Sequence, residues 1–128
     1  PETQVIDFGK FNLLDIRRHT MSKTFSIKTT KSQNDQCTDG FKVSSSFYTE
    51  ETLVEEDKAL LIGNGLKLRL LDENASPYTF NKYAEYADFT SDMLIYEKTY
   101  TAELSSIAGT PIEAGPFDTV VLFKINYN

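Results

Sequence analysis

The 128-residue sequence has no tryptophan, one cysteine, one histidine and only four prolines. A lone cysteine cannot close a bridge within its own chain. Cys37 is therefore a buried small hydrophobe, a free thiol, or half of a bridge to something outside the chain. With a single imidazole, His19, and a single thiol, little is left for a nucleophilic triad or a thiolate and imidazole metal site. His19 follows Arg17 and Arg18 in a polar stretch and reads as a surface residue. Positive charge is also scarce: 13 Lys and Arg stand against 19 Asp and Glu, a net charge of −6. Phosphate backbones are held by surplus cationic charge, so nucleic acid is excluded as a partner. No apolar run reaches the length of a membrane-spanning helix. Nothing at the start resembles a secretory signal, and a processed chain would read the same way, so the compartment stays open.

What is present is apolar and aromatic material. The chain is 40% hydrophobic, with seven Tyr and nine Phe, which is enough to build the core of one domain. No repeat, linker or low-complexity tract divides it. The dominant period is two. Phe25 and Ile27 alternate with Ser26 and Lys28, and Phe41, Val43 and Phe47 follow Gly40. Leu66, Leu68 and Leu70 are separated by Lys67 and Arg69; a helix would scatter the leucines, whereas a strand puts them on one face. Tyr100, Ala102 and Leu104 repeat the pattern. Val5 to Phe11 reads as a strand followed by a turn. Strand candidates separated by polar loops predict an antiparallel two-sheet domain rather than alternating helices and strands.

The strongest strand signal comes last. Phe117, Thr119, Val121, Phe123, Ile125 and Tyr127 share one side, and Asp118, Val120, Leu122, Lys124 and Asn126 the other. Each large apolar side chain is worth roughly 1.5–3 kcal/mol when buried, so this strand must be held by its own fold, by a partner, or by both. Two regions have no clean period. Glu50-Glu51 and Glu55-Glu56-Asp57 read as a solvated loop or short helix, without the repeated oxygen-ligand spacing of a calcium loop. Tyr83, Tyr86 and Ala87 fit one helical face, while Phe80 and Phe89 also permit short strands. The rings of Tyr78, Phe80, Tyr83, Tyr86 and Phe89 fill the ends of a core or line a binding patch.

Short motifs add no chemistry. Gly63-Asn64-Gly65 lacks the Lys and Ser/Thr of a phosphate loop and reads as a turn into the Leu66 strand. Asn74-Ala75-Ser76 fits a glycosylation triplet but is assigned to turn geometry.

The last fourteen residues, Gly115-Pro116-Phe117-Asp118-Thr119-Val120-Val121-Leu122-Phe123-Lys124-Ile125-Asn126-Tyr127-Asn128, carry a resemblance. A glycine fourteenth from the end, a penultimate tyrosine and alternating apolar residues between them are similar to the assembly motif of chaperone–usher pilus subunits. The chain resembles their type 1 and P pilus-like pilin domain. Tyr100 to Leu104, Gly65 to Asp72, Phe8 to Phe11 and Phe25 to Cys37 fit that family in order.

The resemblance implies an all-β, incomplete immunoglobulin-like sandwich completed by a donor strand, with residues 1–128 forming one pilin domain that lacks its N-terminal segment. It implies that Gly115, Phe117, Thr119, Val121, Phe123, Ile125 and Tyr127 belong to the assembly strand or its groove. The carboxylate of Asn128 would meet basic residues of a chaperone cleft. The implied role is a structural subunit, or the pilin domain of a tip adhesin, with no enzymatic activity and no metal or organic cofactor. The implied partners are a periplasmic chaperone, an outer-membrane usher and neighbouring subunits, with a host receptor reached only through another domain. The implied location is the periplasm in transit and then the extracellular fimbrium of a Gram-negative bacterium. The donor strand would enter between the first and last visible strands. The family pairing further implies a disulfide from Cys37 to a cysteine absent from this chain. On spacing alone, Phe117 to Tyr127 reads equally well as the last strand of a complete extracellular sandwich that binds carbohydrate or protein; the resemblance favours the assembly role.

Overall fold

The computed structural model describes residues 3–5, 21–30, 41–63, 65–89, 95–111 and 121–127. They form nine strands and, among the described residues, no helix. The strands are β1 (Thr3–Val5), β2 (Met21–Thr30), β3 (Phe41–Tyr48), β4 (Leu53–Val54), β5 (Ala59–Gly63), β6 (Leu66–Leu71), β7 (Ala84–Phe89), β8 (Ile95–Ser106) and β9 (Leu122–Tyr127). They sort into two open antiparallel sheets, ordered β1-β9-β3-β7 and β2-β8-β6-β5-β4. This is the unclosed arrangement expected of an immunoglobulin-like sandwich short of one strand.

The period-two segments behave as their pattern dictates. Leu66, Leu68 and Leu70 are buried, while Lys67 and Arg69 between them reach toward solvent. Arg69 stands opposite Glu103 on β8, and its Nε donates to Glu103 Oε1 at 2.7 Å. Tyr100, Ala102 and Leu104 are buried on the neighbouring strand. β8 is twelve residues long and serves as the spine of its sheet, pairing with β2 over ten residues and with β6 over six. The Phe25 ring stacks on Tyr100 across that ladder at 5.4 Å, and Ser26 Oγ meets Thr99 Oγ1 at 3.0 Å on the exposed side.

The acidic residues are exposed and lie in loop and turn, as read from the sequence, with a short strand between the two groups. Leu53–Val54 is a short strand paired with β5, and Glu55, Glu56 and Asp57 turn the chain with φ of 56°, 60° and 66°. Left-handed backbone costs a non-glycine residue roughly 1–2 kcal/mol. Three contacts hold it: Lys58 N–H donates to Glu55 O, Phe80 N–H donates to Asp57 O, and Lys67 Nζ donates to Glu55 Oε2 at 2.6 Å. Asp72 governs the next turn, its Oδ1 accepting from the N–H groups of Asn74 and Ser76 at 2.8 and 2.9 Å. The Asn74-Ala75-Ser76 triplet is thus an exposed turn, as its composition suggests.

Residues 84–89 are a strand, which removes the helical alternative for this stretch. The helix-like spacing has a specific cause. The register of β7 against β3 runs Val43↔Ala87 and then Ser44↔Glu85, so Tyr86 is an unmatched bulge residue. A bulge adds a residue and breaks the alternation, which lets Tyr86 and Ala87 both be buried. Of the aromatic set, Phe80 and Tyr86 lie in the core, Tyr78 packs against it, and Tyr83 is 45% exposed.

The expected disulfide is overturned. Cys37 is the single cysteine in the sequence, and a bridge takes two thiols, so this chain can form none. Cys37 and His19 lie outside the described residues.

Candidate functional site

The site is built on β9 and the apolar layer beneath it. Val121, Phe123 and Ile125 are 0% exposed, while Leu122 and Lys124 are half-buried and Asn126 is exposed. The inward and outward sides of the closing strand are therefore those its alternation predicts. Phe123 sits at the centre of an aromatic cluster, 5.4 Å from Phe47, 5.3 Å from Tyr86 and 6.4 Å from Tyr100. Phe47 meets Tyr100 edge-on at 5.2 Å, which ties the two sheets together through their rings.

Burial perturbs the phenols of this layer. The Tyr100 hydroxyl is driven far above its ordinary range, first by burial and then by the neighbouring Tyr78, Tyr86 and Tyr96. Tyr78 is pushed up to about 12, again first by burial, with Asp72 and Glu73 adding to it. Tyr96 is raised by burial, Glu73 and Glu85. These groups stay neutral at ordinary pH and act as packing rings, not as acids or bases.

The two edges of β9 differ. On one side β3 pairs with it over six residues, from Val43↔Tyr127 to Tyr48↔Leu122. On the other, the pairs among the described residues are Thr3↔Lys124, Gln4↔Phe123 and Val5↔Leu122, made by β1. The first and last visible strands are thus joined directly along part of β9, where the sequence predicted a gap for a donor.

The outward face of the same strand is polar. Lys124 Nζ lies over the Tyr48 ring, 3.8 Å from its centroid. The Tyr48 hydroxyl donates to Glu50 Oε1 at 3.2 Å, and the charge of Glu50 raises the phenol above its ordinary value. A cleft of about 370 Å³ beside them is lined by Tyr48, Thr49, Glu50, Glu51 and Leu122. Asn81 braces the end of β3 here. Its Nδ2 donates to Thr49 O at 3.1 Å and its Oδ1 accepts from Thr49 N–H at 2.9 Å. Among the described residues, no three His, Cys, Asp or Glu side chains converge on a point where a metal would sit.

Of the residues assigned to the assembly strand, the structure brings Phe123, Ile125 and the backbone of Tyr127 into one ladder, with Val121 buried just before it. Gly115, Phe117, Thr119 and Asn128 lie outside the described residues. Sequence reasoning missed the ladder between β1 and β9, and it missed the inter-sheet contact of Tyr86 with Thr29. Neither has a periodic signal, since both join segments distant in sequence.

The chain matches no model of a known protein family. Solved structures do resemble it. The P pilus rod subunit PapA superposes with a TM-score of 0.69 at 18% identity, over 98% of this chain and 92% of PapA. A chaperone–usher pilus, solved in work on rod uncoiling, gives 0.63 at 18% identity, over 98% of this chain and 82% of the other. An antigen and type I fimbria protein of Burkholderia pseudomallei gives 0.60 at 16% identity, over 85% and 70%. The fold is that of chaperone–usher pilus subunits.

Proposed function

We propose that the chain is a structural pilus or fimbrial subunit, or the pilin domain of a tip adhesin, and that it takes up a β-strand from outside itself along β9. The strand comes first from a periplasmic chaperone, then from a neighbouring subunit delivered at an outer-membrane usher. The assembled product is an extracellular fimbrium of a Gram-negative bacterium. Gly115, Phe117, Thr119, Val121, Phe123, Ile125, Tyr127 and Asn128 make up the assembly strand in this reading. The role is non-catalytic: backbone hydrogen bonds supply general affinity, and side chains at alternate positions select the donor.

One observation carries the proposal. Phe123 and Ile125 on the inward side of β9 are fully buried, and among the described residues three flank one edge of the strand while six flank the other. The likeness in fold to pilus rod subunits supports it. Because a donor completes the sandwich, its binding and the stability of the domain are linked.

The test is a thermal melt of the chain titrated with a synthetic ten-residue peptide alternating valine and threonine, flanked by lysines for solubility. The midpoint should rise and saturate, with a gain of about 2.7 kcal/mol at a hundredfold excess over Kd. A peptide of the same composition with its valines blocked together should do far less. No gain with either peptide, from a monomer that melts cooperatively, favours a complete carbohydrate- or protein-binding sandwich instead.

A further inference from the structure

We propose that Asn74, in the turn that follows β6, is a glycan acceptor: its side-chain amide takes an oligosaccharide from a polyprenyl-pyrophosphate donor. The inference needs the passage through the periplasm proposed above, but not the uptake of a donor strand, and it goes beyond that reading.

Asn74-Ala75-Ser76 is the one Asn-x-Ser/Thr triplet in the sequence. Such a triplet serves as an acceptor on a surface loop, with any residue but proline in the middle. Asn74, Ala75 and Ser76 are all exposed. The bonds that shape the turn are made by the backbone and by Asp72. Asp72 Oδ1 accepts from the N–H groups of Asn74 and Ser76, Ala75 N–H donates to Asp72 O at 3.0 Å, and Asp72 N–H donates to Ser76 O at 2.9 Å. Among the described residues, the Asn74 carboxamide and the Ser76 hydroxyl have no hydrogen-bond partner. The turn geometry read from the sequence therefore leaves free the two groups a transferase must hold: the amide that reacts and the hydroxyl two places on. Bacterial transferases of this kind also favour an acidic residue two positions before the asparagine, and Asp72 stands there.

The transfer is simple to balance. Asn74 Nδ2 bonds to the anomeric carbon of the first sugar, and the bond from that carbon to the pyrophosphate oxygen breaks. The polyprenyl pyrophosphate leaves with the electron pair, and one amide proton passes to the enzyme.

The fold also allows the turn to enter an enzyme's cleft. The Leu71↔Pro77 bridge and the bond from Tyr78 N–H to Leu70 O, at 2.8 Å, close its base. The four bonds above it all lie within residues 72–76, so the tip can open without breaking a ladder. Openings confined to an exposed turn cost far less than unfolding. β6 belongs to the larger sheet and β9 to the smaller, so a glycan at Asn74 is not carried by the strand used in the proposed function.

The test incubates the folded chain with a purified bacterial oligosaccharyltransferase and a polyprenyl-pyrophosphate-linked oligosaccharide. A synthetic peptide of residues 70–82 runs in parallel. Intact mass should rise by the mass of the glycan less one water, in the chain and in the peptide alike. Asn74→Gln and Ser76→Ala should each abolish the shift, while circular dichroism shows both variants folded like the parent. No shift in the folded chain overturns the proposal, whether or not the peptide is modified. A shift that survives either substitution overturns it too. The donor-strand reading is scored separately by the melt with the valine–threonine peptide, so each can fail without the other.

Discussion

The hydroxyls of Tyr86 and Thr29 meet at 2.8 Å inside the sandwich, one carried by β7 and the other by β2, so a buried hydrogen bond joins the two sheets. Both residues are almost wholly buried, and the Tyr86 hydroxyl also lies 3.5 Å from Ile27 O. A buried hydroxyl that loses its partner bears the full desolvation penalty, whereas removing both partners is close to neutral. Tyr86→Phe should therefore cost about 1–2 kcal/mol by stranding Thr29. The double variant Tyr86→Phe/Thr29→Val should be less destabilised than the sum of its two singles. Urea unfolding of the four proteins measures the coupling; strict additivity would mean that the contact contributes nothing.

Adjacent residues of β9 should respond in opposite ways. Phe123 is fully buried among Phe47, Tyr86 and Tyr100, so Phe123→Ala should cost about 3–5 kcal/mol, and Phe123→Asp should prevent folding. Lys124→Gln loses only the contact with the Tyr48 ring on the outward face and should leave the unfolding midpoint nearly unchanged. Comparable losses at the two positions would place the strand the other way round.

Alkaline pH should unfold the chain over a defined window. Tyr78 is pushed up to about 12 in the folded state, and Tyr100 is raised further still. An unfolded phenol ionises near 10. Between those values the unfolded chain has released the proton and the folded chain has kept it, so stability falls as pH rises. The contribution is complete below about pH 10 and is lost through about pH 12 for Tyr78. Phenolate absorbance and circular dichroism should change together at these tyrosines. Phenolate formation at both sites with the fold intact would contradict their burial.

The turn between β5 and β6 tests backbone strain without steric clash. Gly63 has φ +89°, and a Cβ placed there meets nothing within 4 Å. Gly63→Ala should therefore cost only the left-handed penalty, about 1–2 kcal/mol, seen as a lower denaturant midpoint with an unchanged slope.

Period and burial were legible in the sequence wherever one strand face meets the core. Leu66, Leu68 and Leu70, the Tyr100 to Leu104 segment and the inward side of β9 all fall where alternation places them. The stretch around Tyr86 was ambiguous because a bulge inserts one residue and imitates the spacing of a helix. The Glu55–Asp57 turn was obscured because three left-handed residues in a row run against the intrinsic preference of Glu and Asp. Tertiary bonds from Phe80 and Lys67 stabilise it, and those partners lie more than ten residues away. At the candidate site, the side chains of the closing strand could be read directly. The neighbour at its edge could not, because pairing of β1 with β9 depends on proximity across the whole chain and leaves no local pattern.

The irregularity at Tyr86 also sets one end of the smaller sheet apart from the other. That sheet has two ends: β1 and β9 at one, and β7 at the other. A bulged margin carrying the exposed carboxylates of Glu85 and Asp88 twists away and repels, which makes it a poor template for another chain. Strand addition at the β7 margin is thereby disfavoured.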